Sequence, residues 1–197
     1  MPTRKILYVY AIEQEYIVLP EYISADSLMT GIGKSNATFE LTRRLCGQPD
    51  AYDLVLNIGT AGTLHFQVGD ILFCNRFMDR DFEKLKDFGL PYRTDSLYDG
   101  LWPSYIGGHS IKEGFMVNTG DDFVTSSEPV EGDAIDMEAY ALASVCRRMN
   151  VPFVSVKYIT DVVGQNSLKH WEDKLKDALK GLSLYFENLV DYGFGKY

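Results

Sequence analysis

The stretch that most constrains this chain runs from residue 133 to residue 161. Its first half has the spacing of a helix that opens on Asp136, Met137 and Glu138. Met137, Tyr140, Ala141, Ser144, Val145 and Arg148 recur every three or four residues and give one face that is mostly small or apolar. Arg147 and Arg148 sit in the last turn, where cations suit the helix dipole. Asn150 can take the left-handed stop conformation, and Pro152 prevents continuation. Residues 153–159 are then β-branched and aromatic, with the length of a buried strand, and lead into Thr160, Asp161 and Gly164. Ligands of open α/β sheets bind outside the carboxyl ends of the strands. The acids of the helix start and Asp161 are therefore expected to meet at one edge of a sheet.

The rest of the chain repeats that pattern. Residues 5–12 form a buried-strand candidate followed by Glu13, Gln14 and Glu15. Glu13 reads as an ordinary helix-start acid, since Glu is favourable in a first turn, while Glu15 stays open between that role and a chemical one. Residues 22–29 are weakly strand-like. Gly31-Ile32-Gly33-Lys34-Ser35 then opens a helix to about Leu45. It lacks the four residues that a phosphate loop places between its first glycine and Gly-Lys-Ser. Close approach of the backbone to a ligand or a strand explains these glycines better. Residues 52–58 form a second buried strand, expected to end in a turn of small residues from Gly59 to Thr63. Residues 68–70 turn into a strand over 71–77, and the charged run 78–86 reads as a solvated loop or short helix. Residues 92–108 read as a surface excursion, and 112–117 as a further strand. Phe123 follows in a polar turn, either as core filler or as a ring able to stack on a flat base. Residues 126–132 read as a loop, Ser167 as the N-cap of a last helix over about 168–190, and 192–197 as a frayed tail. The predicted fold class is α/β, a mixed and largely twisted central sheet flanked by helices, with residues 1–197 as one domain.

Bulk properties narrow the partners. A net charge of −9 argues against general nucleic-acid binding. No apolar run approaches the length of a membrane span, and the start of the chain lacks a signal-peptide pattern, so a cytoplasmic location is expected. Cys46, Cys74 and Cys146 are expected to be reduced and mostly buried. His65, His109 and His170 pair with nothing at ligand spacing, so neither a metal nor a cofactor is expected.

Several motifs, in order over nearly the whole chain, resemble those of the nucleoside phosphorylase/nucleosidase superfamily, and most of all its 5′-methylthioadenosine/S-adenosylhomocysteine nucleosidases. They are Ala11-Ile12-Glu13-Gln14-Glu15, Gly31-Ile32-Gly33-Lys34-Ser35-Asn36-Ala37, Asn57-Ile58-Gly59-Thr60-Ala61-Gly62 with Val68-Gly69-Asp70-Ile71, Asn118 to Val124, Asp136-Met137-Glu138-Ala139, Val151-Pro152-Phe153 and Ile159-Thr160-Asp161. The resemblance implies hydrolysis of a purine (adenine) nucleoside through an oxocarbenium-like transition state. Asp161 would be the general acid at the five-membered ring of the base, a role that needs a raised pKa, and Glu15 the base acting on water. Glu138, expected to stay ionised, would hold the ribose hydroxyls, and Met137 would pack on the sugar. Phe123 would stack on the purine while the backbone of Val124 reads its edge. Thr60 would contact the water or Glu15, and Ala61 and Gly62 would let the backbone come close. Ile12, Asp136, Lys157 and Thr160 complete the substrate-binding set. A homodimer and a place in methionine salvage are also implied. Against the family pattern, Lys157 replaces Arg, Ile12 replaces Met, Asp136 replaces Glu, and the chain is shorter between residues 77 and 112. The competing readings are a phosphate-dependent phosphorylase and a non-catalytic nucleoside-binding protein; retention of Glu15, Glu138 and Asp161 together weighs against the second.

Overall fold

A computed structural model describes residues 5–122, 124, 130–164 and 167–189, with backbone alone for 167–172. Phe123, most of the 126–132 loop, the capping side chain of Ser167 and the tail 192–197 lie outside the described residues.

The elements in chain order are β1 (Ile6–Tyr10), a short 3-10 turn (Glu13–Glu15), β2 (Ala25–Met29), α1 (Lys34–Gly47), β3 (Leu54–Thr63) and β4 (Ile71–Asp79). Then come α2 (Arg80–Glu83), a second 3-10 turn (Lys86–Phe88), β5 (Arg93–Asp95), β6 (Ser104–Ile106), β7 (His109–Ile111) and β8 (Phe115–Thr119). The chain continues through β9 (Ala134–Asp136), α3 (Ala139–Arg148), β10 (Phe153–Val162) and α4 (Ser167–Asn188).

The sheet is mixed, as expected, but it also curls back on itself. β1 is flanked in parallel by β2 and β3, and β3 is paired in parallel by β10. β10 runs antiparallel to β4, β4 parallel to β8, and β8 parallel to β9. A single antiparallel pair, Gly62 with Ile135, joins β9 back to β3 and closes the ring β3-β10-β4-β8-β9. Strand twist accumulates over long strands, and β3 and β10 are both 10 residues long. A register shift between Ile159 and Asp161 bends β10 further.

One expected turn is therefore strand, and another strand runs past its expected end. Residues 59–63 continue β3, and residues 160–162 continue β10 past a register shift at Thr160, because the two extensions pair with each other. The α3 helix also starts later than its pattern suggests. Asp136 ends a strand, and Glu138 is the N-cap. Its buried face is Ala139, Ala141, Leu142, Ala143, Val145 and Cys146, while Tyr140, Ser144 and Arg148 turn toward a groove beside α1. Small residues on the buried face let α3 lie close to the sheet.

Apolar side chains alternate across the sheet and feed two cores. Leu7 and Val9 join Leu41, Leu45, Leu142 and Cys146 under α1 and α3. Ile6 and Tyr8 point the other way and join Leu182, Tyr185 and Phe186 of α4. Residues 92–108 are less superficial than they read. β5 pairs with β4, β6 and β7 extend the sheet, and Trp102 is 4% exposed. Cys74 and Cys146 are buried, whereas Cys46 is exposed. Among the described residues, no helix is long and apolar enough to cross a membrane.

Candidate active site

The ring closure draws the ends of β1, β3, β9 and β10 around one cleft of about 170 Å³. Its walls carry Ile12 and Glu15 from the first turn, Thr60, Ala61 and Gly62 from β3, and Asp136, Met137 and Glu138 from the β9–α3 corner. Asp161 and Val163 come from the end of β10, and Val124 and Asp122 from the loop after β8. Ala11, Ile32 and Ile135 complete the described lining. Most of the expected site residues thus converge. Phe123 cannot be placed, since it is outside the described residues. Lys157 and Thr160 stand behind the wall, 2% and 0% exposed, and support it instead of lining it.

Glu15 is fixed by β3. Its Oε1 accepts the Thr60 amide at 2.8 Å and the Thr60 hydroxyl at 2.7 Å, while Oε2 lies 3.4 Å from the Ala11 amide, long for a hydrogen bond. The carboxylate is thereby held by one oxygen, with lone-pair capacity left on the other. A Cβ at Gly59 would come within 3.2 Å of Oε1. Glu13 in the same turn is exposed, as an ordinary helix-start acid would be.

Asp161 sits opposite Gly62 in the β10–β3 ladder. The Thr160 hydroxyl lies 2.9 Å from Asp161 Oδ1 and 3.3 Å from the Ala61 carbonyl. A Cβ at Gly62 would stand 2.9 Å from Asp161 Oδ2, so glycine is needed there for space. Here the small residue makes room for the Asp161 side chain.

Glu138 reaches back to the glycine loop, where Gly33 N–H donates to its Oε1 at 2.7 Å. Gly33 has φ of +93°, which glycine tolerates best, and its amide is thereby turned toward the carboxylate. Burial, then the neighbouring Asp136, pushes the Glu138 carboxyl up to about 8, against the pull of Lys157 and the Gly33 amide. Burial and Asp136 thus work against the ionised form expected of Glu138, while Lys157 and the Gly33 amide work for it.

A family model of the phosphorylase superfamily matches residues 112–190. The 5′-methylthioadenosine/S-adenosylhomocysteine nucleosidase of Bacillus subtilis (strain 168) is 31% identical over 175 residues, covering 77% of this chain and 74% of that protein. This chain belongs to that nucleosidase family. The Helicobacter pylori nucleosidase crystallised with butyl-thio-DADMe-Immucillin-A has the same fold, with a TM-score of 0.73 at 19% identity, covering 98% of this chain and 100% of that one. A futalosine hydrolase of Helicobacter pylori also reaches a TM-score of 0.73, at 18% identity, covering 96% of this chain and 98% of that one. The fold alone thus does not choose the nucleoside.

Two departures from the nucleosidase pattern turn out to be partners. Lys157 Nζ lies 2.8 Å from Asp136 Oδ2. Asp136 also accepts the Thr119 hydroxyl at 2.6 Å and the Ala139 amide at 2.9 Å. Burial pulls the Lys157 ammonium toward neutrality, but Asp136, Glu138 and Glu15 outweigh it and hold the ammonium above its ordinary range.

Arg80 is a residue that reading the charged run 78–86 as solvated did not find. It is 8% exposed, donates to Asn118 Oδ1 at 2.9 Å and to the Asp122 carbonyl at 2.8 Å, and so ties β8 to the loop that carries Asp122 and Val124. A run of alternating charge gives no sign of which cation turns inward; only the neighbouring strand supplies its acceptors.

Proposed function

We propose that the chain hydrolyses the N-glycosidic bond of methylthioadenosine, S-adenosylhomocysteine or a closely related adenine nucleoside. The observation that carries this reading is the pairing of Glu15 and Asp161 on one largely buried cleft, each anchored by a threonine and each with a carboxylate oxygen close to the backbone of β3. Asp161 delivers a proton to the five-membered ring of the purine, which turns a poor leaving group into a neutral base. Glu138 accepts from the ribose hydroxyls, Met137 packs against the sugar, and the backbone of Val124 borders the purine. Positive charge grows on the sugar as the bond lengthens, and the surrounding carboxylates favour it. Glu15, held through Oε1, uses its second oxygen to orient and deprotonate the attacking water.

The cleft's charge also favours water over phosphate. Its described lining includes Glu15, Asp122, Asp136, Glu138 and Asp161, and no Lys, Arg or His. A phosphate dianion would find no charged side-chain donor there, where a phosphorylase needs one. Incubation with methylthioadenosine, with and without phosphate, tests this directly. Adenine and free sugar should form at the same rate in both. A sugar phosphate formed only with phosphate would sink the hydrolase reading.

We further read residues 1–197 as one domain, because the two cores share a single sheet. A cytoplasmic location, a role in methionine salvage and a homodimer are part of the same proposal. The groove between α1 and α3, with Phe39 63% exposed at its edge, is the surface we assign to a second copy. Sedimentation at micromolar concentration checks the dimer.

A further inference from the structure

Behind the acidic wall of the cleft lies a buried ammonium that the reaction as described does not use. Lys157 reaches from β10 to Asp136, the last residue of β9, with Nζ 2.8 Å from Oδ2. Asp136 is also gripped by the Thr119 hydroxyl of β8 and by the first amide of α3. Met137 and Glu138 are the two residues between Asp136 and α3, so the ion pair pins the corner from which Glu138 hangs. On the far side, Gly33 N–H holds Glu138 Oε1 at 2.7 Å. The groups that face Lys157 are Asp136 from β9, Glu138 from the corner, Glu15 from the first turn and Cys74 from β4. Asp161 lies further along its own strand.

We propose that Lys157, locked to Asp136, is a positioning residue for Glu138: it fixes the corner and supplies the positive charge that lets Glu138 take sugar hydroxyls as a carboxylate. The inference rests on the reading of Glu138 as the sugar-binding acid. Two opposite charges act on Glu138 from this pair. Asp136 disfavours its ionisation and Lys157 favours it. Deleting one partner should therefore move the titration of Glu138 in one direction, and deleting the other should move it back. A scaffold that merely held the corner in place would show no such reciprocity.

The test is the pH dependence of KM and kcat for methylthioadenosine in wild type, Lys157→Met, Asp136→Asn and the double variant, across neutral and alkaline pH. In Lys157→Met the acid limb of kcat/KM should move to higher pH. KM at neutral pH should rise about tenfold for each unit of that movement, with recovery at alkaline pH and a smaller change in kcat. Asp136→Asn keeps an amide oxygen for its donors and should move the limb to lower pH, and the double variant should return it toward wild type. Glu138→Gln should lack the limb. Activity lost equally at every pH in Lys157→Met, or a limb that persists in Glu138→Gln, overturns the proposal. If Lys157→Met does not fold, because it leaves a lone carboxylate buried, Asp136→Asn decides: a limb unmoved or moved upward overturns the inference. Turnover by the wild type itself tests the nucleosidase reading, so the two failures are distinguishable.

Discussion

In the proposed mechanism, Asp161 carries the one proton that the leaving base requires. Asp161→Asn keeps the shape and the acceptor for Thr160 but has no acidic proton to give. Its turnover is expected to fall by roughly 10²- to 10⁴-fold, with nucleoside binding within severalfold of wild type, measured by adenine release and by calorimetry with a non-hydrolysable analogue. Glu138 makes a different prediction, about stability. Its carboxyl titrates near 4.5 when unfolded and at about 8 in the fold. A raised value means that the fold favours the protonated form. The associated stability is fully present below about 4.5, declines as pH rises and is gone above about 8. Glu138→Gln has no such dependence. Thermal melts of the ligand-free proteins should show the variant gaining on the wild type across that window, by roughly a few kcal/mol at its alkaline end. A difference that stays constant with pH would contradict the assignment.

At the scale of elements, the site depends on how β3 and β10 lie against each other. Gly62 faces Asp161, and an added Cβ would stand 2.9 Å from Oδ2. Gly62→Ala must push the acid or the strand aside by several tenths of an ångström. Its kcat is expected to drop about tenfold or more, since a small misplacement of a reacting group is costly, while circular dichroism stays unchanged. Arg80 acts on the opposite wall. Arg80→Met removes donors from Asn118 and from the Asp122 carbonyl in a buried setting. A loss of about 2–4 kcal/mol in urea unfolding is expected, together with a higher KM, because the loop proposed to border the base loses its tie. The buried strand β1 was readable from its residues, since both faces of a central strand are buried and its apolar run is unbroken. The extensions of β3 and β10 were not. Gly59-Thr60-Ala61-Gly62-Thr63 has the composition of a turn, and it remains strand only because β10 and Ile135 of β9 offer partners.

At the scale of the whole molecule, the closed ring and its charge select the ligand. Carboxylates come to the described cleft wall from four separate segments, and Lys157, a buried cation behind that wall, is already paired. Nucleosides bearing a 5′-phosphate should consequently be poor substrates. Adenosine 5′-monophosphate is expected to show kcat/KM at least about 100-fold below that of methylthioadenosine, equivalent to about 3 kcal/mol of repulsion and lost contacts. Equal rates would refute this account of the cleft.

What the amino-acid sequence determined by itself is local or ordered along the chain. Apolar runs bounded by Gly and Pro place the strands, Pro152 ends a helix, and the ordered motifs bring Glu15, Glu138 and Asp161 into one family pattern. Tertiary structure alone decided that the sheet closes through Gly62 and Ile135, that Arg80 turns inward, and that Lys157 takes Asp136 as its partner. The reason is physical. Periodicity and propensity report a residue's preference toward its sequence neighbours, whereas ring closure and a buried ion pair depend on groups 21 to 73 residues apart that meet only once the sheet has curled. The charge left on Glu138, and with it the proposed grip on the sugar, is set by that meeting.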